Sequence, residues 1–466
     1  MKRFLVVIVA ALSFWASNAQ VKYVFYMIGD GMGANQVLAT EMYLAELQGK
    51  IGRQQLCMTQ FPYSGQLATF SASNGITDSS AAGTCLASGK KTTNHTLGLD
   101  TDNQPVKTIA EILRDKGWSV GIMTSVSIDH ATPGAFYAHV ASRSDYYTIG
   151  KQLAASGFDF FGGATFYQPF DKKDPEHSEN VYDLCEQEGY FFVHGIKEFE
   201  AKKEADKLIL IQEHEGLTKT YKGEGMIPYA IDKKSEDLTL PQITKAAIEF
   251  LESKNKPFFM MVEGGAIDWA CHSNDAATAF GEVIEFDEAI RVAYGFYQLH
   301  PEETLIIVTA DHETGGLALG NSDYTLNFKI LENQKMSIDA LSDAVKALQD
   351  QYGKSLKWQQ VKDLLREQTG LYGAVEVSKE EDAELLKCFK NVLANSAKDV
   401  KTLYKSLNAL SSKAIKLLDK KAKVGWTTGS HSASAVPVFA IGAGAELFTG
   451  WHDNSEIMPL IEKVTN

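Results

Sequence analysis

Short apolar runs along the chain alternate with stretches in which apolar residues recur every three or four positions. Val21 to Ile28 (VKYVFYMI), Trp118 to Thr124, Phe258 to Val262, Thr304 to Thr309 and Val436 to Ile441 have the length and the β-branched and aromatic content of buried strands. Leu67 to Phe70 and Leu208 to Gln212 read as shorter strands. Residues 34–49, 79–88, 106–115, 241–253 and 276–298 read as helices; in 241–253, Ile243, Ala247 and Leu251 fall in step on one face. Strands alternating with helices predict an α/β fold, a mostly parallel central sheet with helices on both faces.

Two stretches depart from that rhythm. Residues 147–240 are more polar and mixed, and predict short strands and surface loops. Over residues 320–424 three apolar sets recur at helical spacing, namely Ile338, Leu341, Val345 and Leu348; Leu385, Phe389 and Val392; and Leu403, Leu407, Leu410 and Ala414. The expectation is a single domain over 20–466 with insertions at about 163–235 and 320–424, the second helical. The simplest reading of its charged faces is solvated surface; a lid over a site or a docking face is the alternative.

The first twenty residues, MKRFLVVIVAALSFWASNAQ, change the picture of where the chain works. Lys2 and Arg3, an apolar core from Phe4 to Trp15, and Ser17-Asn18-Ala19 predict a signal peptide over 1–19, cleaved after Ala19, and a periplasmic or secreted product. The apolar run is short for a membrane span, and no lipid-attachment Cys follows it, so no membrane anchor is expected. The formal charge of −14 gives no electrostatic footprint for nucleic acid or anionic lipid. Five Cys without a CxxC pair argue against a Cys-rich zinc site, and their odd number leaves at least one thiol unpaired.

Acids and histidines stand repeatedly just past the predicted strands. Asp30 lies in Gly29-Asp30-Gly31-Met32-Gly33; His130 and Thr132 lie in Asp129-His130-Ala131-Thr132-Pro133; Glu263 precedes Gly264-Gly265; Asp311-His312-Glu313 follows Thr309; His431 ends Thr428-Gly429-Ser430-His431. In open α/β sheets the carboxyl ends of strands are where ligands bind. Asp268 and His272, spaced i, i+4, face one ion from a helical turn. Each His alone is ordinary, but zinc favours imidazole nitrogen with carboxylate oxygen, and the joint placement points to a polynuclear site. Glu263 and Thr132 suit a harder cation such as magnesium, and Arg143 has a planar fork for phosphate oxygens. Asp78-Ser79 before Ser80-Ala81-Ala82-Gly83 caps a slim helix able to pack close to the sheet, with a hydroxyl at its positive end. No G-x-S-x-G surrounds Ser79, so an acyl-transfer serine hydrolase is disfavoured.

Ile76-Thr77-Asp78-Ser79-Ser80-Ala81-Ala82-Gly83-Thr84 resembles the active-site pattern of alkaline phosphatases. The resemblance takes in Gly29 to Gly33, His130-Ala131-Thr132-Pro133, Ser142-Arg143, Val262-Glu263-Gly264, Asp268 with His272, Thr309 to Glu313, and Gly429 to His431, in the family's order. It implies a metal-dependent phosphomonoester hydrolase that releases inorganic phosphate from varied small-molecule phosphomonoesters through a phosphoserine on Ser79. It further implies two Zn2+ and one Mg2+, the third site open to another divalent metal. Asp268, His272 and His431 correspond to ligands of the first zinc; Asp30, Asp311 and His312 to those of the second; Asp30, Thr132 and Glu263 to those of magnesium. Arg143 corresponds to the phosphate clamp, and a homodimer is the form the family often takes. His130 stands where the best-known bacterial pattern has Asp, and Trp269 where it has Lys. His130 is therefore expected to ligate the third metal or reach it through water, and Trp269 to alter the phosphate's contacts. A sulfatase would need a C/S-x-P-x-R context, a related two-zinc diesterase typically has Thr as nucleophile, and a metal- or phosphate-binding protein without turnover is the non-enzymatic alternative.

Overall fold

A computed structural model describes residues 20–202, 204–212, 225–321, 323–395 and 400–466. The signal peptide expected over 1–19 lies outside them. A ten-stranded sheet runs in the order Gly450–Asp453, Tyr63–Ala68, Val436–Gly442, Thr304–Thr309, Tyr23–Gly29, Phe258–Gly264, Ser119–Thr124, Phe160–Gly163, Lys207–Ile211, Tyr190–His194. Neighbours are parallel, except that Val436–Gly442 is antiparallel to both of its own.

The central strands are buried on both sides, as continuous apolar runs require. Consecutive side chains on a strand point to opposite faces. Phe25 meets Phe296 of the Ala276–Leu299 helix at 5.5 Å, whereas Tyr26 meets Phe136, beyond the Ala131–Gly134 turn, at 6.0 Å. The two contacts show cover on both faces. Burying a side chain of this kind contributes roughly 1.5–3 kcal/mol.

Register then aligns the strand ends. Gly29 pairs with Gly264, Ile28 with Thr309 and Thr124 with Glu263. The segments that follow Gly29, Thr124, Gly264 and Thr309 therefore leave the sheet at one edge.

Residues 338–422 form the helices Ile338–Tyr352, Trp358–Thr369, Lys379–Asn395 and Val400–Ala422. They enclose a second core, including Leu341, Leu365, Phe389, Leu407 and Leu410, which reaches the body at Ala276, Phe280 and Ala39. The stretch 163–235 contributes the strands Tyr190–His194 and Lys207–Ile211 to one margin of the central sheet. The short strand expected at Leu67 to Phe70 is Tyr63–Ala68 instead, because pairing with Val436–Ala440 sets its register and leaves Ser64 and Gln66 outward. No disulfide forms among the described residues: Cys57, Cys85, Cys185 and Cys271 are buried thiols and Cys388 is half-buried.

The loop after the Ser79–Ser88 helix folds back beneath the sheet edge. Leu97 bridges Val140, Gly98 N–H donates to Thr84 Oγ1 at 2.8 Å, and Arg143 N–H donates to His95 O at 2.8 Å. Gly98 has φ +67°, and a Cβ there would lie 1.9 Å from Ala138 O. Gly98→Ala is expected to lower the unfolding free energy by roughly 2 kcal/mol or more. A denaturant midpoint equal to that of the unsubstituted chain would contradict this packing.

Candidate active site

Asp78 organises the start of the Ser79–Ser88 helix. As its N-cap, Asp78 accepts the Ala81 N–H at 3.0 Å on Oδ1. Its Oδ2 accepts from Ser80 Oγ at 2.7 Å, His95 N–H at 3.0 Å and Arg143 Nη1 at 3.2 Å. Burial alone would raise this carboxyl, but Arg143 and the donors at Ala81 and Ser80 hold it below the ordinary range. Ser80 is thus turned into the cap, while Ser79 Oγ faces the strand ends, 3.2 Å from His312 Nε2. The slim first turn seats this helix on the Ala131–Gly134 turn rather than on the sheet itself, since a Cβ on Gly83 would lie 3.0 Å from Ala135 Cβ.

Three groups of metal-ligating side chains converge on Ser79, each with ligand atoms within 4.8 Å of one another: Asp268, His272 and His431; Asp30, Asp311 and His312; Asp30, His130 and Glu263. The groups are contiguous. Asp30 belongs to two of them, and the His312 and His431 rings stack at 3.6 Å. The spacings suit ions. His272 Nε2 lies 3.2 Å from His431 Nε2 and 3.3 Å from Asp268 Oδ2; His312 Nε2 lies 3.4 Å from Asp30 Oδ1 and 3.3 Å from Asp311 Oδ2. Tetrahedral ligands about 2.0–2.2 Å from zinc sit about 3.3–3.6 Å apart.

The polar bookkeeping agrees. Asp30 Oδ1, Asp311 Oδ2, Glu263 Oε1 and His130 Nδ1 are buried without a hydrogen-bond partner. Buried atoms of this kind are costly unless a cation satisfies them. Burial, reinforced by the charges of Asp311 and Asp268 at Asp30 and of Asp268 and Glu263 at Asp311, pushes the Asp30 and Asp311 carboxyls well above the ordinary range. Burial likewise raises Glu263 to about 7. Burial and Arg143 lower His130 to about 3, so its imidazole is neutral, as a ligand requires. His272 differs: burial opposes its protonation, but Asp268 overrides that and raises it to about 9.

Neighbouring groups fix which nitrogen points inward. His272 Nδ1 donates to Gly429 O at 2.8 Å and His431 Nδ1 to Thr77 O at 2.8 Å. A carbonyl only accepts, so Nδ1 carries a proton, and in the neutral imidazole that binds a cation the lone pair is on Nε2. Thr314, which no sequence signal singled out, donates to Asp268 Oδ1 at 2.5 Å and lies 3.2 Å from His312 Nδ1. Thr124 donates to Glu263. Glu313, quoted above only as a motif neighbour, accepts from Gln36 at 2.7 Å and from Ser432, tying the Ala34–Leu47 helix to the strand that carries His431.

The remaining expected residues lie at the same place. Thr132 Oγ1 donates to Asp30 Oδ2 at 3.2 Å. Arg143 lies between Asp78 and His130, with Nη2 3.5 Å from His130 Nε2. Trp269, half-buried, sets its ring edge-on to His130 at 5.8 Å. The arrangement holds a hydroxyl, a cationic fork and a set of cation sites around one point, the equipment of phosphoryl transfer.

The chain matches the family model described as Alkaline phosphatase over residues 21–466. Alkaline phosphatase 4 of Bacillus subtilis is 32% identical over 462 residues, covering 96% of this chain and 89% of the relative. Alkaline phosphatase 3 of the same bacterium is 30% identical over 452 residues, covering 94% and 87%. Among solved structures, the cold-active alkaline phosphatase of Shewanella sp. superposes with a TM-score of 0.78 at 27% identity, over 95% of this chain and 100% of that one. A His-to-Asp variant of the TAB5 alkaline phosphatase, with Mg bound in its M3 site, has a TM-score of 0.66 at 25% identity, over 96% and 98%.

Stripping divalent metals with EDTA is expected to lower the melting temperature, and zinc to restore it. An ion held at a free concentration a thousand times its Kd adds about 4 kcal/mol. A melting temperature indifferent to both treatments would contradict the reading of these clusters as cation sites.

Proposed function

The chain belongs to the alkaline phosphatase family and is a metal-dependent phosphomonoester hydrolase; on that premise we propose that Ser79 is its nucleophile and Arg143 its phosphate clamp. The observation that carries the assignment is the direction of Ser79 Oγ, toward His312 Nε2 at 3.2 Å and away from the cap that engages Ser80.

Asp268, His272 and His431 would hold one Zn2+, and Asp30, Asp311 and His312 a second, because nitrogen-rich sets favour zinc. Asp30, Thr132, Glu263 and His130 would hold Mg2+ or another divalent ion; the nitrogen of His130 widens that choice. When bound, the ions supply Lewis-acid stabilisation of the attacking and leaving oxygens. The chain does the rest. Arg143, braced by Asp78, grips two phosphoryl oxygens, and the positive end of the Ser79–Ser88 helix adds to the charge balance on them. Ser79 Oγ bonds to phosphorus as the ester P–O bond breaks and the alcohol leaves. Water then attacks the phosphoserine, inorganic phosphate departs, and the Ser79 hydroxyl is restored. His130, with the Trp269 ring edge-on to it, lies beside Arg143 and shapes its approach to the phosphate.

Residues 20–466 make one domain in this reading, with the insertions at about 163–235 and 320–424; the enzyme is exported, periplasmic or secreted, and works as a homodimer. No helix among the described residues is long and apolar enough to cross a membrane.

Hydrolysis of p-nitrophenyl phosphate, run beside bis-p-nitrophenyl phosphate and p-nitrophenyl sulfate, tests the assignment together with Ser79→Ala and Arg143→Ala. Monoester turnover is expected to dominate, Ser79→Ala to form no phosphoenzyme, and Arg143→Ala to lose roughly a hundredfold in kcat/KM. Burst-phase labelling of Ser79→Ala would sink the nucleophile, and preference for the diester would overturn the clamp.

A further inference from the structure

Asp419 lies on the Val400–Ala422 helix of the second core, remote in sequence from Asp268 and His272, yet it is only 2% exposed. Its Oδ2 accepts the Ala276 N–H at 3.2 Å and the Trp426 Nε1–H at 2.8 Å. Ala276 opens the Ala276–Leu299 helix, directly after the helix that carries Asp268 and His272. Beside it Asp275, the cap of that opening, accepts from Gln334 Nε2 at 2.7 Å and from Ile338 N–H at 3.1 Å. One joint therefore fastens the helical segment to the segment bearing two ligands of the first cluster.

The other arm of the joint reaches the third ligand. The Trp426 ring packs on Gly315 so closely that a Cβ there would lie 2.5 Å from it. Gly315 follows Thr314, whose hydroxyl holds Asp268, and Gly315 O accepts the N–H groups of Thr427 and Thr428 at 3.1 and 3.2 Å. Those residues begin the strap that ends in His431. Asn274 Nδ2 donates to Thr428 O at 2.8 Å along the same strap. The second cluster leans on this support through His312 alone, which lies 3.2 Å from Thr314 Oγ1, whereas Asp311 Oδ1 is held by the Gly31 and His312 N–H groups at the sheet edge.

We propose that Asp419 is a positioning residue for the Asp268–His272–His431 cluster, fixing through Ala276 and Trp426 the helix and the strap that present those three ligands. The inference rests on the proposed cation role of that cluster. It makes the helical segment part of the site's support. Burial, with the nearby Asp275 carboxylate, pushes the Asp419 carboxyl well above the ordinary range, so a neutral Asn offering one acceptor oxygen is its mimic.

The test uses the metal-stripped full chain. Zinc affinity is measured by competition with a chromophoric chelator, at a temperature where circular dichroism is native. Asp419→Ala and Trp426→Phe are expected to weaken one zinc equivalent tenfold or more, the usual effect of losing a group that orients a ligand, and to weaken the second equivalent by less. Asp419→Asn is expected to stay close to the unsubstituted chain. Unchanged zinc affinity in Asp419→Ala and Trp426→Phe, whatever their melting temperatures, would overturn the proposal, as would equal loss in Asp419→Asn and Asp419→Ala. Should Asp419→Ala not fold, Trp426→Phe carries the comparison. Asp268→Asn is the reference for the cluster itself: if it binds zinc like the unsubstituted chain, the ligand assignment fails, and the proposal with it.

Discussion

Four carboxyl groups, Asp30, Glu263, Asp268 and Asp311, are buried together at one edge of the sheet, none more than 4% exposed. Four negative charges cannot share so dry a place without cations or protons. Much of the surrounding structure answers that constraint. Parallel register brings the ends of four strands level and delivers the carboxyls to one place. Four imidazoles stand among them, His130, His272, His312 and His431, two with the inward nitrogen set by a backbone carbonyl. Arg143 adds positive charge that remains when the cations are counted, which suits an anionic substrate.

The same constraint explains how the candidate nucleophile is held. Asp78 ties the helix start, the His95 loop and Arg143 into one unit, and His431 joins that unit through Thr77 O. Ser79 is thereby placed by the same contacts that place His431, a candidate metal ligand. A phosphate held between Arg143 and the cation sites would meet the hydroxyl without rearrangement of the backbone, and such preorganisation is the main source of rate in phosphoryl transfer.

Much of this was legible in the sequence because it is local. The helix that begins at Ser79 and closes at Gly89, the central apolar strands, and the i, i+4 pair Asp268 and His272 carry their signals within a few residues. The strand Phe160–Gly163 did not: its two glycines weaken any strand pattern, and Gly162 exists because Ile243 Cγ2 would lie 2.4 Å from a Cβ there. Gly450–Asp453 is a polar edge strand with no periodicity to read. Thr314 acts on Asp268, Thr124 on Glu263, Glu313 on Gln36 and Asp419 on Ala276, each tens to hundreds of positions away, so only the folded chain reveals these pairings.

Everything proposed for Ser79 depends on the binding of cations by these carboxyls and imidazoles. Anomalous X-ray diffraction from crystals grown with zinc and magnesium and soaked in phosphate tests it most directly. Two zinc-edge peaks are expected, one among Asp268, His272 and His431 and one among Asp30, Asp311 and His312, with the phosphate against Ser79 Oγ and Arg143. Zinc peaks elsewhere, or a phosphate bound away from Ser79, would contradict it.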